Sequence, residues 1–144
     1  HFSALIPDIV RSLVLKKKFI PRGDGQDLRD YVYIDDIIDL YLLLSRKLYF
    51  KPSLKGEIFN AGINKPIKVK EVVKKFYFYK KEKKRYKEII NLMKLKKTKG
   101  EIPFQYMDYQ KLNKYFGWSP IFKFDDTIPH VYDWYEKYLR KKNA

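Results

Sequence analysis

Residues 23–36 read GDGQDLRDYVYIDD, and this stretch decides how the chain is organised. Two glycines around Asp24 form a strong turn signal. The alternating, β-rich run DYVYI that follows predicts a strand. Asp35 or Asp36 can cap the helix that comes next. The stretch therefore predicts a turn, a strand and a helix in direct succession.

Outward from this stretch, hydrophobic spacing and turn signals divide the rest of the chain into short elements. Five helices are predicted: from a Ser3 cap to Lys16–Lys18, from the Asp35-Asp36 pair to about Leu48, over residues 70–76, from an Asp108 cap to Phe116, and from Asp125 or Asp126 onward. Strands are predicted at residues 30–34, 57–62 and 88–93. The fold class is therefore α/β, or α+β for the piece taken alone. Two stacked βαβ units are missing, so a complete Rossmann domain is not predicted.

The bulk composition restricts the class of protein. The chain has 144 residues, 45% of them hydrophobic, which is enough for the core of one domain. It has no cysteine, which excludes disulfides, thiolate metal sites and a cysteine nucleophile. No apolar run is long enough for a membrane span, and no secretory signal is visible, so a cytoplasmic protein is expected. Because the chain begins with His1, we expect it to be the tail of a longer protein.

The basic charge is concentrated in one segment. The formal net charge is +15, and between Lys65 and Lys99 there are 15 basic and 3 acidic residues, a local net charge of +12. A lysine-rich, solvated segment explains this pattern. A second interpretation is a single-stranded nucleic-acid site, because the aromatic residues Tyr77, Phe78, Tyr79 and Tyr86 among lysines suit base stacking.

Two polar positions are candidates for ligand binding. Arg29 stands at the entrance of the predicted strand, where its planar guanidinium can bind a phosphate or carboxylate. It can equally form an ion pair with Asp24, Asp27 or Asp30. Asn60 ends another predicted strand, and its amide can bind a ligand or satisfy its own turn. The pattern leaves both pairs of alternatives open.

Catalytic chemistry has little support in the residue pattern. Asp35 and Asp36 are better explained as helix caps and dipole partners than as general bases. His130 has no evident partner, and two histidines without cysteine give no metal-ligand spacing. No catalytic, cofactor-binding or metal-binding residue is therefore assigned.

Five segments in order carry a family resemblance: FSALIPDIVRSL (2–13), PRGDGQDLRDYVYIDDIIDLYLLL (21–44), GEIFNAG (56–62), GEIPFQYMDYQKLNKYFGWSP (100–120) and WYEKYL (134–139). Together they resemble the C-terminal part of extended short-chain dehydrogenase/reductases, in particular nucleotide-sugar epimerases and 4,6-dehydratases. The first, second and fourth segments are most similar to CDP-glucose 4,6-dehydratases. The resemblance covers nearly the whole chain and is weakest at residues 77–99.

The resemblance implies that the chain is one partial domain, residues 1–144, from the C-terminal half of a Rossmann-type fold. The family's N-terminal half binds NAD and carries a catalytic Tyr-x-x-x-Lys pair, and neither motif occurs in this sequence. NAD is thus implied as the cofactor of the full-length enzyme, bound by a missing Rossmann part or partner chain. The chain alone is expected to be inactive and to hold the nucleotide-diphosphate sugar.

By position in the family motifs, four residues are implied to bind substrate. Arg29 corresponds to the arginine that contacts the diphosphate, and Asn60 to an asparagine that faces the nucleotide. Arg22 stands where the family contacts base or ribose, and Gln105 near a polar position of the same cleft. Phe104 departs from the family, which has a polar residue there, so contacts to the second phosphate are expected to differ.

Alternatives remain open at this stage. The chain can be a stand-alone, non-catalytic nucleotide-sugar-binding module, or the basic nucleic-acid-binding protein described above. If the helices normally pack against an absent sheet, their apolar faces are uncovered, and we expect self-association.

Overall fold

The computed structural model describes residues 4–97 and 100–142. Six α-helices, three short strands and one 3-10 turn are found in this part of the chain. In chain order they are α1 (Leu5–Val14), β1 (Leu28–Arg29), α2 (Ile34–Phe50), the 3-10 turn (Pro52–Leu54), β2 (Ile67–Lys68), α3 (Val69–Tyr79), α4 (Lys83–Lys94), β3 (Phe104–Gln105), α5 (Gln110–Phe116) and α6 (Phe124–Lys142). The α/β class is confirmed.

The three strands form one small mixed sheet in the order β2-β1-β3. The central strand β1 is antiparallel to β2, with Arg29 opposite Ile67. It is parallel to β3, with Arg29 opposite Gln105. The sheet therefore places Arg29 at the meeting point of three distant chain segments.

The larger core lies between α1, α3, α4 and α6. Ile9, Val10 and Leu13 of α1 are buried at helical spacing and pack in one cluster with Val73 and Phe76 of α3. The i, i+3, i+4 spacing produces one apolar face on each helix, and burial of these faces drives the packing. Phe19 joins the same cluster, which anchors the start of the loop that leads to β1.

A second, smaller core joins α2 to α5. Leu40, Leu112 and Trp118 are buried together, and the rings of Tyr109 and Trp118 meet edge to face with centroids 5.9 Å apart. As predicted, α5 ends at Phe116, and its C-cap Gly117 has the left-handed conformation (φ 68°). A glycine adopts this conformation without a Cβ clash, so the chain can turn back onto α2.

The predicted strands at 30–34, 57–62 and 88–93 are wrong. Residues 30–33 are irregular, and β1 lies just before them. Residues 57–62 pair with no strand among the described residues, and Ile58 is 79% exposed. Residues 88–93 belong to α4, where Ile89 and Met93 reach the core at helical spacing. A strand requires a partner, and a short apolar run does not reveal one.

The predicted caps of α2 are also wrong. The N-cap is Tyr33, and no side chain caps the helix. Asp35 and Asp36 lie in the first turn, where negative charge favours the helix dipole. Asp36 instead accepts hydrogen bonds from the backbone N–H groups of Ile121 (2.8 Å) and Phe122 (3.3 Å). It therefore attaches the loop before α6 to α2.

Other helix boundaries are close to the predictions. The N-cap of α1 is Ala4, and Ser3 lies outside the described residues. Asp108 precedes the true N-cap of α5 by one residue and accepts a hydrogen bond from the Gln110 N–H (2.7 Å). The last helix, α6, begins at Phe124. Within the described ranges, no helix is both long and apolar enough to cross a membrane.

Candidate functional site

A cavity of about 320 Å³ lies between the start of α1, the loop at 19–25 and β1. Arg22 and Arg29, both predicted to bind substrate, line this cavity together. Tyr31 and the backbone of Gly23 and Gly25 form further parts of its wall. The structure thus brings two of the four predicted site residues to one cavity.

The Gly23-Asp24-Gly25 segment, predicted as a turn, borders the cavity through Gly23 and Gly25. Gly25 has φ +76°, and a Cβ there would lie 2.9 Å from the Lys70 Cβ and 2.9 Å from the Met93 Sδ. The Gly25 carbonyl accepts a hydrogen bond from the Lys70 N–H (2.9 Å) at the start of α3. Only glycine combines this φ with so close an approach, so the turn is seated firmly on α3.

The guanidinium of Arg29 is held by backbone carbonyls. Its Nη1 donates to the carbonyls of Ile102 (2.7 Å) and Leu28 (2.9 Å). Its Nη2 lies 3.4 Å from a carboxylate oxygen of Glu101, and the side chain is 20% exposed. The predicted ion-pair partners were Asp24, Asp27 and Asp30, so the partner that the structure shows is a different residue, 72 positions away. The two carbonyls orient the planar group before any ligand arrives.

The cavity has mixed charge. Asp8, Asp27 and Glu101 line it beside the two arginines. Asp8 is ion-paired with Arg11 in α1. Glu101 is the direct acidic neighbour of Arg29, and most of its side chain is exposed. An anionic ligand at Arg29 therefore has to displace Glu101, which is a weak, solvent-screened partner.

Tyr31 gives the cavity a neutral hydroxyl group. Burial raises the pKa of Tyr31 from 10.0 to about 12, while the positive charge of Arg29 acts in the opposite direction. The phenol is thus protonated at neutral pH. Its ring packs against Phe124 with centroids 5.4 Å apart, which ties the site to α6.

The other two predicted substrate residues lie elsewhere. Asn60 and Gln105 are exposed and are not among the residues that line this cavity. Gln105 pairs with Arg29 in the sheet through the backbone, since its carbonyl accepts the Asp30 N–H (3.1 Å). The structure therefore places both near β1 or its flanking loops without joining them to the two arginines.

Sequence reasoning missed Glu101 and Tyr31 as parts of the site. Glu101 is distant from Arg29 in the sequence, so no local spacing could connect them. Tyr31 is one of 13 tyrosines and carries no distinguishing pattern. In the part of the chain that the structure describes, no group of three or more His, Cys, Asp or Glu residues could hold a metal ion.

The lysine-rich segment folds into α3 and α4. Tyr77, which was considered for base stacking, is fully buried in the core. Phe78 is partly buried, and the ammonium groups of Lys74 and Lys83 lie 5.8 and 5.6 Å from its ring centroid. Lys75 forms an ion pair with Asp125 (2.5 Å). These contacts give several of the basic and aromatic side chains intramolecular roles.

Comparison with known proteins identifies the class. Residues 2–131 match the family model described as GDP-mannose 4,6 dehydratase. A dTDP-glucose 4,6-dehydratase from Haemophilus influenzae is 28% identical over 142 residues, which cover 94% of this chain and 40% of that protein. UDP-glucose 4-epimerase 3 from Oryza sativa subsp. japonica is 27% identical over 117 residues, 81% of this chain and 30% of that protein.

Two solved structures share the fold. The dTDP-glucose 4,6-dehydratase of Bacillus anthracis, in complex with NAD, has a TM-score of 0.66 and 22% identity over 95% of this chain and 40% of its own. The Bordetella bronchiseptica enzyme WbmG, also in complex with NAD, has a TM-score of 0.64 and 22% identity, and the match covers 94% of this chain and 39% of WbmG. These likenesses confirm the predicted Rossmann-type fold.

The chain belongs to the extended short-chain dehydrogenase/reductase superfamily, because the GDP-mannose 4,6 dehydratase family model matches residues 2–131. Within that class it belongs to the nucleotide-sugar dehydratase and epimerase group. It spans 40% or less of the length of the two relatives described above. The finer resemblance to CDP-glucose 4,6-dehydratases stays a prediction.

Proposed function

We propose that this chain is the nucleotide-diphosphate-sugar-binding part of an NAD-dependent sugar-nucleotide 4,6-dehydratase or epimerase. In this proposal the 144 residues form one partial domain, inactive alone. Arg29 binds the diphosphate and Arg22 the base or ribose. Asn60 and Gln105 contribute from the flanking segments.

The main support for the proposal is the fixed orientation of the Arg29 guanidinium. Two backbone carbonyls fix the guanidinium at a cavity wall, and Arg22 lines the same cavity. A preoriented guanidinium loses little conformational entropy when it binds, and its planar donors match two phosphate oxygens. A singly charged carboxylate such as Glu101 is a poorer partner for it than a dianionic diphosphate.

The residues of this chain do not fit NAD itself. The glycine-rich G-x-x-G-x-x-G turn that accepts the dinucleotide does not occur in the sequence. NAD, held by another part of the protein or by a partner, would supply hydride transfer. The role of the described residues is to bind and orient the nucleotide sugar, which makes the reaction with a fixed partner effectively unimolecular.

The test is calorimetric titration of the chain with CDP-glucose, dTDP-glucose and UDP-glucose, and with free glucose as a non-phosphorylated control. Arg29→Ala should weaken nucleotide-sugar binding by about 1.5–3 kcal/mol, the range for hydrogen bonds to charged groups. Arg140→Ala is the matched control, because Arg140 is an ion-paired arginine of α6 that does not line the cavity. Its dissociation constants should equal those of the unaltered chain.

An unchanged dissociation constant in folded Arg29→Ala would overturn the assignment of Arg29. Equal binding of glucose and the nucleotide sugars would overturn the proposed ligand class. The nucleic-acid alternative predicts a steep loss of affinity with salt, because phosphate contacts release counterions. A single diphosphate in a cavity should depend far less on salt, and titrations at two salt concentrations separate the two.

A further inference from the structure

We infer that Asp30 is a positioning residue that joins the three segments carrying Arg29, Asn60 and Gln105, three of the four proposed substrate residues. This inference rests on the proposed function, because it concerns how that binding site is held together. Arg29 immediately precedes Asp30, Asn60 lies in the second segment and Gln105 in the third. Their side chains can act together only if their backbones are joined.

The Asp30 carboxylate makes the connection through one oxygen. Its Oδ2 accepts hydrogen bonds from the backbone N–H groups of Ile63 (3.0 Å) and Met107 (3.4 Å). These residues are 33 and 77 positions away in the sequence. The Asp30 N–H also donates to the Gln105 carbonyl (3.1 Å). Asp30 therefore binds two distant backbone segments. It binds the first at Ile63, three positions after Asn60, and the second at Met107, two positions after Gln105.

Close packing leaves little freedom at this junction. A Cβ on Gly62 would lie 2.3 Å from Asp30 Oδ2 and 2.6 Å from the Met107 carbonyl oxygen. Both distances are shorter than real Cβ contacts, so residue 62 has to be glycine for the segments to meet. The glycine is required here by the close approach to the carboxylate and to the third segment.

The cost of placing a carboxylate here indicates that its acceptor role matters. Asp30 Oδ1 is buried and has no hydrogen-bond partner among the described residues. An unpaired buried polar atom is unfavourable. The two charge-assisted bonds to Oδ2 offset this cost. Asparagine can keep an oxygen at the Oδ2 position without the negative charge, whereas alanine removes the acceptor entirely.

The inference is tested by two measurements on three variants: Asp30→Ala, Asp30→Asn and a control. Amide hydrogen exchange reports the bonds of Ile63 and Met107 directly, and titration with CDP-glucose, dTDP-glucose and UDP-glucose reports the site. In Asp30→Ala both amides should exchange at least about tenfold faster. The nucleotide-sugar dissociation constants should rise about five- to tenfold, as loss of one or two net hydrogen bonds implies.

Asp30→Asn should keep a large part of both amide protections and of the nucleotide-sugar affinity, because its neutral oxygen still accepts both hydrogen bonds without the assistance of the charge. Asp35→Ala is the control, because Asp35 is an exposed first-turn aspartate five positions away. It should change neither readout. Gly62→Ala should reproduce the Asp30→Ala pattern by displacing the carboxylate, although Asp30 itself is intact.

Unchanged amide exchange in Asp30→Ala would overturn the junction. An Asp30→Asn variant as impaired as Asp30→Ala would show that charge, and not the acceptor oxygen, is responsible, which also overturns it. If the unaltered chain bound no nucleotide sugar, the proposed function would fail first. The exchange data would then still decide whether Asp30 joins the three segments.

Discussion

The hydroxyl oxygens of Ser12 and Tyr77 lie 2.6 Å apart in the core between α1 and α3, although 65 residues separate them in the sequence. Ser12 also donates its hydroxyl hydrogen to the Ile9 carbonyl (2.9 Å). Tyr77 must therefore be the donor to Ser12. This direction makes the two residues unequal, since only Tyr77 depends on the other for its partner.

Ser12→Ala should consequently destabilise the protein more than Tyr77→Phe. Ser12→Ala leaves the buried hydroxyl of Tyr77 without a partner, which costs about 1–3 kcal/mol of stability. Tyr77→Phe removes a hydrogen bond whose net contribution is about 1 kcal/mol. Urea unfolding measures both. Ser45→Ala is the control, because Ser45 makes a similar bond to the Tyr41 carbonyl on an exposed helix face. The opposite order of stability would contradict the assigned direction.

Asp36 should be a stability residue without a role in binding. It is 2% exposed and accepts the N–H groups of Ile121 and Phe122. Asp36→Ala leaves these donors unpaired, so the free energy of unfolding should fall by about 2–3 kcal/mol. Asp35→Ala should change it by about 0.5 kcal/mol or less. Equal unfolding midpoints for the two variants would refute the role assigned to Asp36.

Stability should decline in alkaline solution. Burial raises the pKa of Tyr31 and Tyr132 from 10.0 to about 12. Below pH 10 both states keep these protons, so stability is unaffected there. Between pH 10 and about 12 the unfolded state loses its protons first, so the free energy of unfolding falls as pH rises.

The comparison with Tyr132→Phe isolates this effect from the titration of lysines. The variant should have a smaller alkaline loss of stability, measured as urea midpoints across the same pH range. A loss of equal size in both proteins would show that the Tyr132 pKa does not differ between the folded and unfolded states. Tyrosinate absorbance of the folded protein provides an independent reading of the pKa.

Removing the charge of Glu101 should strengthen ligand binding. Glu101→Gln keeps the side-chain shape but ends the competition for Arg29, so nucleotide-sugar affinity should rise by up to about 1 kcal/mol, the value of an exposed ion pair. Glu57→Gln is the matched control, because Glu57 forms an exposed ion pair with Lys111 away from the cavity. Weaker binding by Glu101→Gln in calorimetry would argue against a phosphate at Arg29.

The chain should self-associate through α2. Ile34, Ile38, Tyr41 and Leu42 are exposed at i, i+4, i+7 and i+8, so they form one continuous apolar stripe, and Leu42 is 65% exposed. Such stripes are normally covered. Sedimentation velocity should show concentration-dependent oligomers, reduced by Leu42→Glu but not by Leu95→Glu, which alters an exposed leucine beyond α4. A monodisperse monomer at high concentration would contradict this prediction.

Local signals predicted those features whose cause lies within a few residues. The turn at Gly25 and the end of α5 at Gly117 both follow from glycine's access to positive φ. The predicted start of α6 beside Asp125 was close to the observed start at Phe124. The α/β class followed from the same local patterns, and the family followed from five ordered motifs.

Pairing across long distances was not visible in the local patterns. The run at 88–93 is apolar enough for a strand, yet Ile89 and Met93 pack as one helix face because α1 and α3 offer a surface there. The aspartate pair looked like caps, yet Asp36 binds a loop 85 residues away. In each case the deciding partner is remote in the sequence.

The sequence by itself determined the class, the glycine turns and the candidacy of Arg29, because each depends on residue chemistry or on local backbone sterics. Arg22 became a candidate only through the family resemblance. The tertiary structure decided what surrounds them. It placed Glu101 beside Arg29, joined three segments at Asp30 and left Asn60 and Gln105 outside the cavity. These outcomes arise from the simultaneous packing of two cores, in which the position of each side chain depends on partners far along the chain.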